Sequence, residues 1–368
     1  MRIALTLQHF DPAVGGAEGF AAAVVRQLGA RGHSLHVIAE TGVPAPGVDL
    51  RIAPLSAAPG LVRDIAPDVT VDWGLHAPAD LHRLGGGTHQ EFLRYVLEAC
   101  GPARRLLKRF EFRLSPRHRR TLRRERVLIE RPGARFLAVS RFVADQLHRT
   151  AAIAPEAVTV LHNGVDTGRF SSGGREACGR QVRERLGLSA DNVVFLFVAH
   201  NLRLKNVRLL REVFGQLSQS LPQAKLLVIG KRSPPFAGPW LVYAGATSRP
   251  EDFYAAADVL LHPTYYDACS NAVIEALACG CPVVSSDRNG SAELIDEGRN
   301  GYVLPVCGPP RNVRDAWLAT VCRLATNPAE RVALSHTAAH IADTHSIESY
   351  VARLEPLLES LAAERRRR

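Results

Sequence analysis

The sequence predicts an α/β protein built from two strand–helix, Rossmann-like domains. Three observations carry that expectation. The chain has 368 residues, long for one core and comfortable for two. It opens as strand, glycine turn, helix, strand, and it restarts with a second apolar strand at Val193. Residues 257–284 then form a β-loop-α-β unit, the building block of a parallel sheet.

Taken in order, Arg2-Ile3-Ala4-Leu5-Thr6-Leu7 reads as a buried strand, followed by the loop Gly15-Gly16-Ala17-Glu18. A helical pattern runs from Ala17 to Leu28 and closes at Gly32, ahead of the strand Leu35–Ala39. A Gly-Gly turn lets backbone approach a ligand closely. It is not the Gly-x-Gly-x-x-Gly fingerprint, which disfavours a nicotinamide enzyme. Short strands are expected at Val69–Trp73 and Leu81–Leu84, the second running into Gly85-Gly86-Gly87-Thr88-His89, where His89 is a candidate acceptor-side residue. Residues 103–128 combine many Arg and Lys with Leu106, Leu107, Phe110, Phe112, Leu114, Leu122, Val127 and Leu128 at helical spacing. Arg135–Ser140 is a strand, Arg141 to His148 a helix, and Val158–Leu161 the last strand of the first half, before the turn His162-Asn163-Gly164-Val165-Asp166. Ser171-Ser172-Gly173-Gly174-Arg175 is the linker candidate.

The second half begins with Val193–Ala199, a loop carrying Arg203 and Lys205, a helix to Leu217 and the strand Lys225–Gly230. The run Ala257-Asp258-Val259-Leu260-Leu261-His262-Pro263 is a strand stopped by proline, which cannot extend a ladder. A polar loop with Asp267 follows, then a helix capped near Ser270-Asn271 that ends at Gly280 before Pro282 opens the next strand. Asp296–Val303 is a turn into a short strand, and helical patterns fill the remainder from Asn312. The final helix is expected to brace the first domain.

Composition excludes several classes. No apolar run approaches the ~20 residues needed to span a membrane, and Met1-Arg2 lead into a strand without a signal-peptide pattern, so a cytoplasmic chain is expected. Seven scattered cysteines argue for reduced thiols; Cys269, Cys279 and Cys281 pack small residues at a helix end and strand start, and no metal site is expected. Net charge is +10, gathered in residues 103–128 and in Arg365-Arg366-Arg367-Arg368. Such patches suit an anionic partner, and a basic helix bearing Leu and Phe suits an anionic membrane surface. No nucleic-acid module or aromatic stacking set accompanies the charge, so nucleic acid is not an expected partner.

Asp267 and Glu275 flank the amino end of a helix behind a parallel strand, where N–H groups favour a diphosphate. A carboxylate, seven intervening residues and a glutamate, followed by Ala-x-Gly-x-Pro-Val-Val, resemble the donor-site motif of the retaining glycosyltransferases of family 4, with Asp267 standing where many members carry Glu. The early Gly15-Gly16 turn, the Val139-Ser140-Arg141 order before Asn163-Gly164-Val165-Asp166, and Arg203 with Lys205 are similar to the same family. Within it the look is closest to lipopolysaccharide-core glucosyltransferases that extend a heptose.

That resemblance implies the GT-B architecture, two Rossmann-like domains facing each other across a cleft. Residues 1–170 would be the acceptor-side domain with the basic segment 103–128, residues 171–345 the nucleotide-sugar domain, and residues 346–368 a helix crossing back. It also implies site roles. Asp267 would hold donor-sugar hydroxyls, Ser270 and Asn271 the diphosphate and Glu275 the ribose, with Ala268 and Cys269 also among the donor-binding residues. Arg203 and Lys205 would neutralise the leaving group, with Arg203 set closer to the Lys than in several members and Asn206 where Gly is frequent. Gly15 and Gly16 would lie on the other side of the donor. No Asp-x-Asp occurs in the chain, so metal-independent transfer and no cofactor are expected.

The implied reaction moves a hexose, glucose from UDP-glucose in the first instance, to a glycolipid or lipopolysaccharide-core acceptor at the inner face of the membrane. UDP-N-acetylglucosamine or GDP-mannose would use the same diphosphate and ribose contacts. An epimerase acting on UDP-N-acetylglucosamine, or a non-catalytic glycan- or lipid-binding relative, stays open as a different class.

Overall fold

The computed structural model describes residues 1–367, the side chain at position 102 excepted; Arg368, the last residue of the basic tail, lies outside the described residues. The chain forms two compact units, Met1–Gly164 with His345–Arg368, and Val165–Thr344.

The first unit runs β1 (Arg2–Phe10), α1 (Gly16–Ala30), β2 (Ser34–Gly42), β3 (Val48–Ile52), α2 (Ala58–Ile65), β4 (Val69–Asp72), β5 (Leu81–Leu84), α3 (His89–Glu98), α4 (Pro102–Leu114), α5 (Pro116–Ile129), β6 (Arg135–Ala138), α6 (Arg141–Thr150) and β7 (Val158–Val160). The second unit continues with α7 (Arg175–Arg185), β8 (Val193–Val198), α8 (Val207–Leu217), β9 (Ala224–Ile229), β10 (Leu241–Gly245), α9 (Pro250–Ala256), β11 (Val259–His262), α10 (Asn271–Ala278), β12 (Val283–Ser286), β13 (Gly301–Leu304), α11 (Pro310–Thr326), α12 (Pro328–Ala338) and α13 (Ile341–Thr344). The last helix, α14 (Ile347–Arg367), returns to the first unit.

The first sheet has seven strands in the order β3-β2-β1-β4-β5-β6-β7 and the second six in the order β10-β9-β8-β11-β12-β13. In both, the order reverses beside the first-formed strand, and crevices for ligands form outside the carboxyl ends of the strands at such a point. Central strands are apolar throughout, as burial on both faces requires: Val193–Phe197 of β8 and Val259–Leu261 of β11 are all buried. The edge strands β3 and β10 were not expected from sequence. Each carries half-exposed residues and follows a stretch rich in proline; β3 alternates apolar with charged residues, and the apolar Leu241–Ala244 run of β10 is short and stands directly after Pro239-Trp240.

The chain leaves the first unit at Gly164, inside the Asn-Gly-Val-Asp turn, and Ser171–Gly174 lies within the second unit ahead of α7. Gly164 is placed there for close approach: a Cβ on it would stand 2.7 Å from the Ser346 carbonyl oxygen at the start of α14. α14 lays Tyr350, Val351, Leu354, Leu358 and Leu361 onto the same core as Ile3, Leu5, Phe20, Val24 and Leu28. That stripe repeats every three to four residues, the period of one helix face. In the tail, Arg365 pairs with Asp80 at 2.8 Å and Arg366 approaches Asp68 at 4.0 Å, so these two charges are partly spent within the unit.

Leu358 is fully enclosed, so Leu358→Ala is expected to lower the unfolding free energy of the first unit by about 2–5 kcal/mol in chemical denaturation. Val332→Ala on exposed α12 is expected to change stability by less than about 0.5 kcal/mol.

Candidate active site

In the second unit, three side chains meet at the carboxyl ends of β8 and β11: Lys205 from the loop after β8, His262 from the last position of β11 and Asp267 from the loop after it. Lys205 Nζ donates a short hydrogen bond to Asp267 Oδ2 and lies 3.4 Å from His262 Nε2, and His262 Nε2 is 3.2 Å from the same carboxylate oxygen. The backbone fixes this meeting. Asn206 adopts a left-handed conformation (φ 58°) to turn the Lys205 loop into α8, a conformation that glycine or asparagine takes at least cost. The Tyr265 N–H donates to the Leu204 carbonyl at 2.9 Å, tying the two loops. Asp267 donates its N–H to Arg288 O at 3.0 Å and accepts from Gly290 N–H at 2.9 Å, so its loop is stitched to the segment after β12.

The charges are well defined. Burial would push the Asp267 carboxyl up, but the Lys205 ammonium and the His262 hydrogen bond outweigh it and hold it well below the usual carboxylate range. Burial, reinforced by Lys205, lowers His262 to about 4, so its ring is neutral at pH 7. His262 Nδ1 is buried without a hydrogen-bond partner. His262 enters the sequence reading as a strand end and is given no place in the donor site; its position five residues before Asp267, at the carboxyl end of a strand, is the signal that marks it as part of the site.

α10 starts directly behind this group. Ser270 precedes its first residue and makes no side-chain capping bond; instead Asn289, reaching from beyond β12, accepts from the Ser270 N–H at 3.3 Å. Ser291 Oγ donates to the Ser270 carbonyl at 2.9 Å. Ala268 and Cys269 are buried in the loop, and Asn271 opens the helix. Glu275, one turn along, accepts a hydrogen bond from Tyr254 OH at 2.9 Å. Burial raises its carboxyl to about 6 in spite of that bond. Tyr254 comes from α9, far away in sequence, and no local spacing announces it. Burial pushes the Cys279 thiol up strongly and the Cys281 thiol to about 12, so both stay protonated. Among the described residues no group of three or more His, Cys, Asp or Glu is placed to hold a metal ion. Arg203 is exposed on the same loop as Lys205.

Gly15, Gly16 and His89 belong to the first unit. Gly15 precedes α1 in fully extended conformation, and Gly16 is the first residue of the helix. His89 begins α3 and is engaged within the unit: its Nε2 lies 2.8 Å from His118 Nδ1 on α5, and its backbone N–H donates to Glu125 at 2.8 Å. Burial, with the His118, Arg117 and Arg124 charges, lowers His89 to about 4, and burial raises Glu125 to about 7. His89 therefore joins α3 to the basic hairpin formed by α4 and α5 as a neutral ring.

Residues 192–327 match the family model described as glycosyl transferases group 1, and residues 71–169 the model described as glycosyltransferase family 4. Among curated proteins, a D-inositol 3-phosphate glycosyltransferase of Streptomyces bingchenggensis is 29% identical over 231 residues, 57% of this chain and 49% of that protein. The chain spans about half the length of the curated relatives it matches. Among solved structures, WaaG, a glycosyltransferase involved in lipopolysaccharide biosynthesis, superposes with a TM-score of 0.81 at 19% identity over 97% of this chain and 99% of that one. HepE of Anabaena, solved in complex with UDP-glucose, gives 0.72 at 16% identity over 98% and 100%. These likenesses identify the fold as GT-B, two parallel-sheet α/β domains. With a family 4 glycosyltransferase domain matched over residues 71–169 and a group 1 glycosyl transferase domain over residues 192–327, the chain is a glycosyltransferase.

Proposed function

We propose that this chain transfers a hexosyl group, glucose from UDP-glucose, to an anionic glycolipid of the lipopolysaccharide-core type, with retention at the anomeric carbon and without a metal ion. The observation that carries the reading is the meeting of Lys205, Asp267 and neutral His262 directly before the amino end of α10, with Glu275 one turn along. A nucleoside diphosphate sugar suits this arrangement. Its diphosphate lies at the first turn of α10, where N–H groups and the helix dipole favour negative charge. Lys205 meets the charge that grows on the leaving diphosphate, an electrostatic contribution that costs no reorganisation because Asp267 already holds the ammonium in place. Ribose hydroxyls donate to Glu275, and donor-sugar hydroxyls to Asp267. Arg203 reaches the diphosphate from the solvent side. The acceptor hydroxyl attacks from the face that the leaving group vacates.

WaaG in lipopolysaccharide biosynthesis and UDP-glucose in HepE support this choice of acceptor and donor. The D-inositol 3-phosphate glycosyltransferases support an acceptor that carries phosphate. The protein is read as peripheral at the inner membrane face. No helix among the described residues is long and apolar enough to cross a membrane, whereas α4 exposes Leu106, Leu107, Phe110 and Leu114, each at least 57% accessible, beside Arg104, Arg105, Lys108, Arg109 and Arg113. Apolar side chains left open among cations fit an anionic lipid surface, each cation contributing about 1 kcal/mol there.

Calorimetry with UDP-glucose in the presence of chelator is expected to show binding to the wild type and its loss in Glu275→Ala; Lys205→Ala is expected to lower kcat by about 10²–10³-fold. Absence of nucleotide binding in the wild type would sink the reading. Because the Glu275 carboxyl sits near 6, raised from its ordinary value, it takes up its proton as pH falls through 6 and ceases to accept from both ribose hydroxyls. UDP-glucose affinity is therefore expected to fall by up to about tenfold per pH unit below 6, and Glu275→Gln to show a flat profile between about pH 5 and 7.5. Cosedimentation with phosphatidylglycerol vesicles is expected to exceed that with phosphatidylcholine and to drop in Leu107→Asp/Phe110→Asp, while UDP-glucose binding in solution persists.

A further inference from the structure

In the first unit, Arg83, one residue before the end of β5, carries a guanidinium that is only 3% accessible and has no carboxylate within ion-pair distance among the described residues. Its Nη2 donates to Asn163 Oδ1 and its Nε to Tyr350 OH at 3.4 Å. The Phe20 and Trp73 rings lie 5.0 and 4.5 Å from its central carbon. A guanidinium has five N–H donors and is never deprotonated. Two are used here, so three find no acceptor among the described residues. Aromatic faces attract the cation but offer no hydrogen-bond acceptor in the guanidinium plane. A buried cation in this state is incompletely compensated, and the missing partner is an anion.

The surroundings are built for one. Arg83 gathers the segments at the carboxyl ends of the strands: Phe20 from the helix after β1, Trp73 directly after β4, Gly85 after β5 and Asn163 after β7. β1 and β4 are the neighbours between which the strand order reverses, the place where open parallel sheets bind ligands. A Cβ on Gly85 would stand 2.4 Å from Arg83 Nη1, so only glycine leaves the guanidinium its position. Among the described residues Nη1 makes no hydrogen bond, and it is not fully enclosed, so it keeps access to solvent. The exposed basic hairpin does not supply this group, and the donor contacts all lie in the other unit.

We propose that Arg83 is an oxyanion-binding residue of the first unit that takes a phosphate group carried by the acceptor; that the phosphate is the acceptor's rests on the transfer reading above. The planar fork of Nη1 and Nη2 pairs with two phosphate oxygens, and positioning the phosphate positions the hydroxyl that attacks.

The test is a calorimetric titration of the full chain with inorganic phosphate and with methyl phosphate at constant ionic strength, on wild type, Arg83→Gln and Gly85→Ala, each checked for folding by circular dichroism. Binding in the wild type that weakens at least tenfold in both variants is expected. Gly85→Ala keeps the charge and moves only its head, so the test stands even if Arg83→Gln does not fold. Acetate is expected to compete at least tenfold more weakly; equal competition would overturn the assignment to phosphate. Phosphate binding that is the same in wild type and variants, or that is lost instead in Arg119→Gln/Arg120→Gln/Arg123→Gln on the hairpin, would overturn the site. UDP-glucose binding measured on the same samples separates the two readings. Its retention in Arg83→Gln is expected, whereas a wild type that binds phosphate through Arg83 and no UDP-glucose sinks the transfer reading and leaves the anion site.

Discussion

Strands that pair only in parallel must be joined by connections that return along the sheet, and among the described residues every strand-to-strand pairing in both sheets is parallel. Helices therefore cover both faces, and the loops that leave the strands collect at one edge of each sheet. The positions of Lys205, Asp267 and Ser270 in one unit, and of Gly15, Trp73 and Gly85 in the other, follow from that single constraint. Neither group needs an unusual element to hold it. Each needs only a short loop fixed by its neighbours, as Tyr265 is fixed to Leu204 and Asp267 to Arg288 and Gly290.

Electrostatics at the donor-side group runs against stability. Glu275 ionises less readily folded than unfolded, so the folded chain binds its proton more tightly, and stability is given up as pH rises from its ordinary value through 6. Asp267 behaves oppositely: held by Lys205 and His262, it favours folding at any pH above its ordinary range and loses that contribution only in strong acid. The two carboxylates, with seven residues between them, are thus set to different tasks by their surroundings. Removing Lys205 leaves Asp267 and His262 without their cation, a larger disturbance than the loss of one surface pair.

The central strands, the glycine turn, α10 and the Asp267 to Glu275 spacing are legible in sequence because each is a local pattern: an apolar run, a cap, a fixed interval from a loop into the helix behind it. The edge strands β3 and β10 are not: β3 has one free side and carries Asp49 and Arg51, and the four apolar residues of β10 are too few, behind a proline-rich stretch, to announce a strand. The partners that complete the site are not legible either. Tyr254 reaches Glu275 from another helix, and His89 finds His118 across 29 residues through the packing of α3 on α5. Arg83 in a strand reading Leu-His-Arg-Leu looks like an exposed alternate position; a central parallel strand has no exposed face, and the charge ends up inside.

The first unit is discontinuous in the chain, since α14 completes it only after the whole of Val165–Thr344. On the ribosome the second unit emerges and closes while the first still lacks the helix that covers Ile3, Leu5 and Leu28. Until then that sheet face is open to solvent. The nascent first unit is thus the aggregation-prone partner, and its rescue depends on contacts more than 300 residues apart, such as Arg31 with Glu355. A circular permutant that begins at α14 and continues into β1 would make the first unit one uninterrupted segment, and would turn a late, distant closure into an early, local one.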